Sequence, residues 1–106
     1  MIWNIIIITK DYDEYVEFFR NKNEYINYWK STKTMTEIHS GFTCIIIMKY
    51  TSQYQFRGYR AHLVYIDDDL IKNEELKEIL LPCVIQGNRG LLPISYLDFI
   101  RSDKNV

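Results

Sequence analysis

Three consecutive aspartates, Asp67-Asp68-Asp69, follow directly on a short apolar run, Leu63-Val64-Tyr65-Ile66. Grouped carboxylate oxygens are the hard ligands that Mg²⁺ and Ca²⁺ take, which makes Asp67 and Asp68 the candidate metal pair. They must emerge at the end of the strand, because burying unpaired carboxylates costs on the order of several kcal/mol each. Just upstream lies a basic, glycine-containing turn, Phe56-Arg57-Gly58-Tyr59-Arg60. Arg57 and Arg60 there alternate with Tyr50, Tyr54, Phe56 and Tyr59. Interleaved cations and rings can grip phosphates and stack bases, and tyrosine and arginine are equally favoured at protein interfaces. Tyr54, Phe56, Arg57, Gly58, Tyr59 and Arg60 are therefore the candidate binding residues. The plain alternatives are a solvated acidic turn with Asp69 capping a following helix, and a loop whose rings close over the core while its arginines pair with the aspartates.

Other constellations are weaker. Tyr65-Ile66-Asp67-Asp68 matches the Tyr-x-Asp-Asp of reverse transcriptases, a domain far longer than this chain. Asp67 with Glu75-Leu76-Lys77 imitates a metal-dependent nuclease, but those residues fall in a helical pattern where neighbouring strands are needed. His39 and His62 have no Cys/His cluster at zinc spacing. Cys44 and Cys83 lie in apolar runs, which raise a thiol pKa and argue against a nucleophile. Gly87-Asn88-Arg89-Gly90 has the composition of a turn that could hold an anion.

The elements that must position these residues follow from patterning. The chain has 106 residues, enough for one core and one domain, and 47% of them are apolar. A net charge of −1 gives no overall pull toward nucleic acid or anionic lipid. No apolar run is long enough for a membrane helix, and the start, Met1-Ile2-Trp3-Asn4, lacks the pattern of a signal peptide. The cysteines are expected to be buried free thiols, consistent with a reducing, cytoplasmic setting.

Ile2 to Ile8 has the composition of a central strand. Asp11 with Glu14 resembles a capping box, and Tyr12, Tyr15, Val16, Phe19, Ile26 and Trp29 recur at helical spacing, predicting a helix from Tyr12 to about Trp29. Lys30 to Thr36 is a polar connector. Glu37 to His39 and Thr43 to Met48 flank Ser40-Gly41-Phe42 as a hairpin. A loop from Thr51 to Gly58 leads into the strand Ala61 to Asp67, whose four apolar residues in a row, Leu63 to Ile66, suit a strand covered on both faces as in a parallel sheet. Leu70 to Leu81 is predicted helical, stopped by Pro82. Val84-Ile85 is a brief strand, Leu91 to Ser95 another, and Tyr96 to Ile100 a closing helical turn. The order β-α-β-β-β-α-β-β predicts an α/β domain whose sheet is at least partly parallel.

With these residues in place, the chain resembles the middle of the ATPase domain of phage large terminases, the motors that package DNA. The features, in the family's order, are the strand and turn Ile5-Ile6-Ile7-Ile8-Thr9-Lys10-Asp11 and the hairpin His39-Ser40-Gly41-Phe42. The turn Arg57-Gly58-Tyr59-Arg60 then runs straight into a Walker B-like strand, Leu63 to Asp68, and Leu92-Pro93-Ile94-Ser95 follows. The resemblance implies that Asp67 holds Mg²⁺ through water, that Asp68 stands where the family has its catalytic glutamate, and that Ser95 is the coupling motif. The sequence has no Gly-x-x-x-x-Gly-Lys-Ser/Thr loop to cradle phosphates, and Asp68 is one methylene shorter than glutamate. The expectation is accordingly a cytoplasmic binding module of phage or viral type, with a protein partner first and nucleic acid second. No cofactor is expected unless Asp67 and Asp68 take Mg²⁺. The competing expectation is a Mg²⁺-dependent nucleotide or phosphate hydrolase, completed by a partner chain that supplies the phosphate loop.

Overall fold

A computed structural model describes residues 3–21, 26–52, 55–56 and 58–97. Its centre is β1 (Trp3–Thr9), paired in parallel with β4 (Thr43–Lys49) on one side and β5 (Leu63–Ile66) on the other. This position between two parallel neighbours explains the run of four isoleucines. Ile6 and Ile8 face one layer of core and Ile7 the other, and none of the three is exposed. The full sheet has six strands in the order β2-β3-β4-β1-β5-β6. Strands β2 (Tyr28–Ser31) and β3 (Met35–Ser40) extend it antiparallel beyond β4. On the far side, β6 (Leu91–Pro93) is parallel to β5. The α/β class and the partly parallel sheet are as expected, and Leu63–Ile66 is an interior strand lying against Ile5–Ile8.

Helix α1 (Tyr12–Asn21) covers one face. Thr9, fully buried, starts it by accepting the Asp11 amide on Oγ1 at 2.9 Å. Tyr12, Tyr15 and Val16, spaced i, i+3, i+4, pack on Ile7, Ile38 and Ile47. The Tyr12 hydroxyl donates to the Thr32 carbonyl at 2.9 Å and shares a hydrogen bond with buried Thr36 Oγ1 at 2.6 Å, which fastens the helix start to the β2–β3 turn.

The helix stops earlier than its spacing predicted. Trp29 lies in β2, opposite Ile38, with the Arg20 guanidinium 5.4 Å from its ring centre. The reason is local. Strand β2 turns only Trp29 toward the core, so no two-residue period shows in the sequence, and Ile26 and Trp29 fall at helical spacing by coincidence. Asn27 serves the hairpin instead, its amide donating to His39 O at 2.8 Å and its Oδ1 accepting from Gly41 N at 2.8 Å. Gly41, at φ 60°, occupies the first of the two loop positions between β3 and β4, where a tight hairpin turn needs glycine.

The other face is covered by the connection from β4 to β5 and by α2 (Glu74–Leu80). Among its described residues the connection contains no helix. Phe56, 2% exposed, anchors it in the core with Ile6, Ile8, Val64, Ile66, Leu76 and Leu80. Gln55 shapes it, accepting from the Thr51 and Ser52 amides at 2.6 and 2.9 Å and donating to Lys49 O at 2.9 Å.

Helix α2 begins four residues later than Leu70. Its cap is Asn73, whose Oδ1 accepts the Leu76 amide at 3.1 Å, and residues 68–72 form turns. Asp69 is not the cap; its carboxylate pairs with Lys10. Pro82 falls in the 3₁₀ turn Leu81–Cys83 directly after the helix, as the sequence predicted. Val84 makes one bridge to Ala61 and no strand, and Gly87–Gly90 is a 3₁₀ turn. There the backbone packs so closely that a Cβ on Gly90 would lie 2.5 Å from the His62 carbonyl oxygen. The observed order is thus β-α-β-β-β-β-α-β. Among the described residues no helix is long and apolar enough to cross a membrane.

Candidate functional site

The chain leaves β1 toward β2–β4 and leaves β5 toward β6, so the carboxyl ends of these two adjacent strands form the topological switch point of the sheet. In open α/β sheets this is where ligands settle. Asp67 to Asp69 and Lys10 stand here. Each aspartate already has a partner. Asp67, 7% exposed and the one buried ionisable carboxylate among the described residues, accepts the Lys10 backbone amide on Oδ2 at 2.8 Å. Asp68 accepts the Ser95 amide on Oδ1 at 3.0 Å. Asp69 pairs with the Lys10 ammonium.

Together these contacts tie the end of β5 to the ends of β1 and β6, Asp67 and Asp69 both holding Lys10 after β1 and Asp68 holding Ser95 after β6. The Lys10 hydrogen bond pulls the Asp69 carboxyl below the usual range, and Asp69 in turn holds the Lys10 ammonium above its own. Both side chains are solvent-exposed, so the effect on stability is screened and small.

The fit to a metal follows from the same contacts. Mg²⁺ is usually held by one or two carboxylates together with water and substrate phosphates. No backbone amide among the described residues donates to the second carboxylate oxygen of Asp67 or of Asp68. Among the described residues, no group of three or more His, Cys, Asp or Glu side chains could hold a metal ion.

The second candidate is the basic aromatic turn. Tyr54 and Arg57 lie outside the described residues. Phe56 is interior, so it fixes the turn and offers nothing to a partner. Gly58 is exposed at φ 89°, a conformation that strains any residue with a Cβ. Tyr59 is half-buried with its hydroxyl 3.5 Å from Met35 Sδ, and Arg60 is exposed.

Gly58, Tyr59 and Arg60 form one wall of an open groove of about 360 Å³, and Ile79, Pro82 and Cys83 form the other. Sequence reading missed this second wall. It lies some twenty residues further on, and its three residues are explained locally as helix end and core. The Cys83 thiol, its pKa raised by burial, donates to Phe56 O at 3.4 Å and is part of the wall. Cys44 is also free but half-buried, less covered than its apolar run predicted.

The remaining candidates are absorbed by the fold. His62 stacks on Trp3 at 4.5 Å, and its Nδ1 accepts the Asn4 amide at 3.1 Å. His39 meets Glu37 at 3.1 Å. Glu75 and Lys77 are on the helix α2, as their pattern predicted. Fold and sites together define a small α/β domain with a mixed six-stranded sheet. No protein-family model matches the chain, and no curated protein matches it either.

Proposed function

We propose that this domain is a binding module without chemistry of its own, and that it docks a protein partner in the groove between Gly58–Arg60 and Ile79–Cys83. The observation that carries the reading is the contrast in how the two candidate sites are satisfied. Asp67 and Asp68 give oxygens to backbone amides of neighbouring strand ends, which is structural work. The groove instead leaves the apolar edges of Tyr59, Ile79 and Pro82 facing solvent beside an exposed guanidinium. Arginine and tyrosine next to a pocket are the side chains that anchor protein interfaces.

The terminase-like pattern belongs to the same proposal, as a relative of that ATPase core that has kept the frame. Its support is the Walker B-like strand lying parallel to β1, with Asp68 joined to Ser95 at the end of the next strand. One observation favours the hydrolase reading: Asp67 and Asp68 sit at the switch point of the sheet, where a Mg²⁺-nucleotide would bind. Calorimetric titration with Mg-ATP separates the two. The binding module shows no heat of binding at micromolar concentration and no turnover. Micromolar binding abolished by Asp67→Asn would replace it with the hydrolase.

A further inference from the structure

The groove also carries information about what occupies it. Its floor and walls are apolar and its volume, about 360 Å³, suits one or two bulky side chains rather than a folded surface. Of the described residues lining it only Arg60 is charged. Arg60, exposed on the Gly58 side, has no carboxylate partner among the described residues, whose ion pairs use Lys10, Arg20, His39 and Lys77. A nucleic-acid backbone, with a charge at every phosphate, would find one cation in an otherwise apolar lining. A single carboxylate placed at the Arg60 end matches that one charge, and arginine's planar fork suits it.

We infer that the groove takes a short peptide segment of a partner protein, with a bulky apolar side chain in the groove and an acidic residue beside it on Arg60. The inference rests on the docking role proposed above and adds the chemistry of the docked segment.

The test is amide chemical-shift titration of the isotope-labelled full chain with end-blocked dipeptides of phenylalanine with aspartate, with asparagine and with lysine, and with a short oligothymidylate. The expected result is saturable shifts at Tyr59, Ile79 and Cys83, with the aspartate dipeptide bound about threefold to fivefold more tightly than the asparagine one. Arg60→Glu, an exposed site that leaves the core untouched, should reverse the preference so that the lysine dipeptide binds better than the aspartate one. Equal affinity of all three dipeptides at the groove would overturn the acidic-segment inference while leaving the docking role standing. Shifts produced by oligothymidylate, and not by the dipeptides, would overturn it in favour of nucleic acid. The absence of groove shifts with every probe would overturn the inference and the groove's docking role together.

Discussion

The carboxyl edge of the sheet and the groove beside α2 differ in what they leave unmet. At the edge, polar groups meet polar groups: Asp67 takes the Lys10 amide, Asp68 the Ser95 amide and Asp69 the Lys10 ammonium. In the groove, apolar walls face solvent beside Arg60, which has no ion-pair partner among the described residues. The region richer in reactive side chains is therefore the more fully committed to the fold. A row of carboxylates at a strand end suggests catalysis by its residue types alone, yet each of the three also makes a contact that joins strand ends.

The largest effect should come from Phe56→Ala. As a surface binding residue Phe56 would be replaceable at no cost. As the buried anchor of the β4–β5 connection, its loss should lower stability by about 3–5 kcal/mol, measured by denaturant unfolding. A near-neutral result would return Phe56 to the binding surface and blur the boundary between core and groove.

Asp68→Ala should cost less, about 1 kcal/mol, because Asp68 is exposed and water can replace it on the Ser95 amide. Asp68→Asn, which keeps the acceptor, should recover most of that.

The Lys10–Asp69 pair should appear as a gentle pH dependence. Asp69 has a lowered folded pKa, so its contribution is present above the ordinary value of 3.8 and fades as pH falls through the folded value. Lys10 has a raised one, so its contribution is present below 10.5 and fades as pH rises through the folded value. Melting curves across pH should show a shallow plateau between these limits, and Asp69→Asn should flatten both shoulders.

The smallest effect on stability belongs to Arg60→Glu, within about 0.5 kcal/mol as for surface changes generally. Its effect should be confined to binding. A marked loss of stability would mean that Arg60 is part of the frame, and the contrast between the two regions would fail.

Much of the frame was legible in the sequence, because strands covered on both faces show as unbroken apolar stretches. Ile5–Ile8 and Leu63–Ile66 are such runs, and both are interior strands. The hairpin at Gly41 was legible through its glycine, and the end of α2 through Pro82. Strand β2 was not, since a four-residue edge strand with one inward side chain has no period to read. The start of α2 was missed for a different reason. Asp69 and Asn73 are equally good caps by type, and in the fold Asp69 pairs with Lys10, a residue distant in sequence, while Asn73 caps the helix. The groove's second wall was invisible for that same reason, because Ile79, Pro82 and Cys83 meet Gly58–Arg60 only through the fold.

The central claim is that the carboxylate edge is structural, and Asp67 tests it most directly because it is buried. Thermal melting should show Asp67→Ala less stable than the natural chain by about 1–3 kcal/mol, since the Lys10 amide loses its acceptor. Asp67→Asn, which can still accept that hydrogen bond, should lose less. Groups held in place for catalysis commonly cost stability, so removing one often raises the melting temperature. An Asp67→Ala chain that melts at or above the natural temperature would contradict the account and make the aspartate edge the active centre.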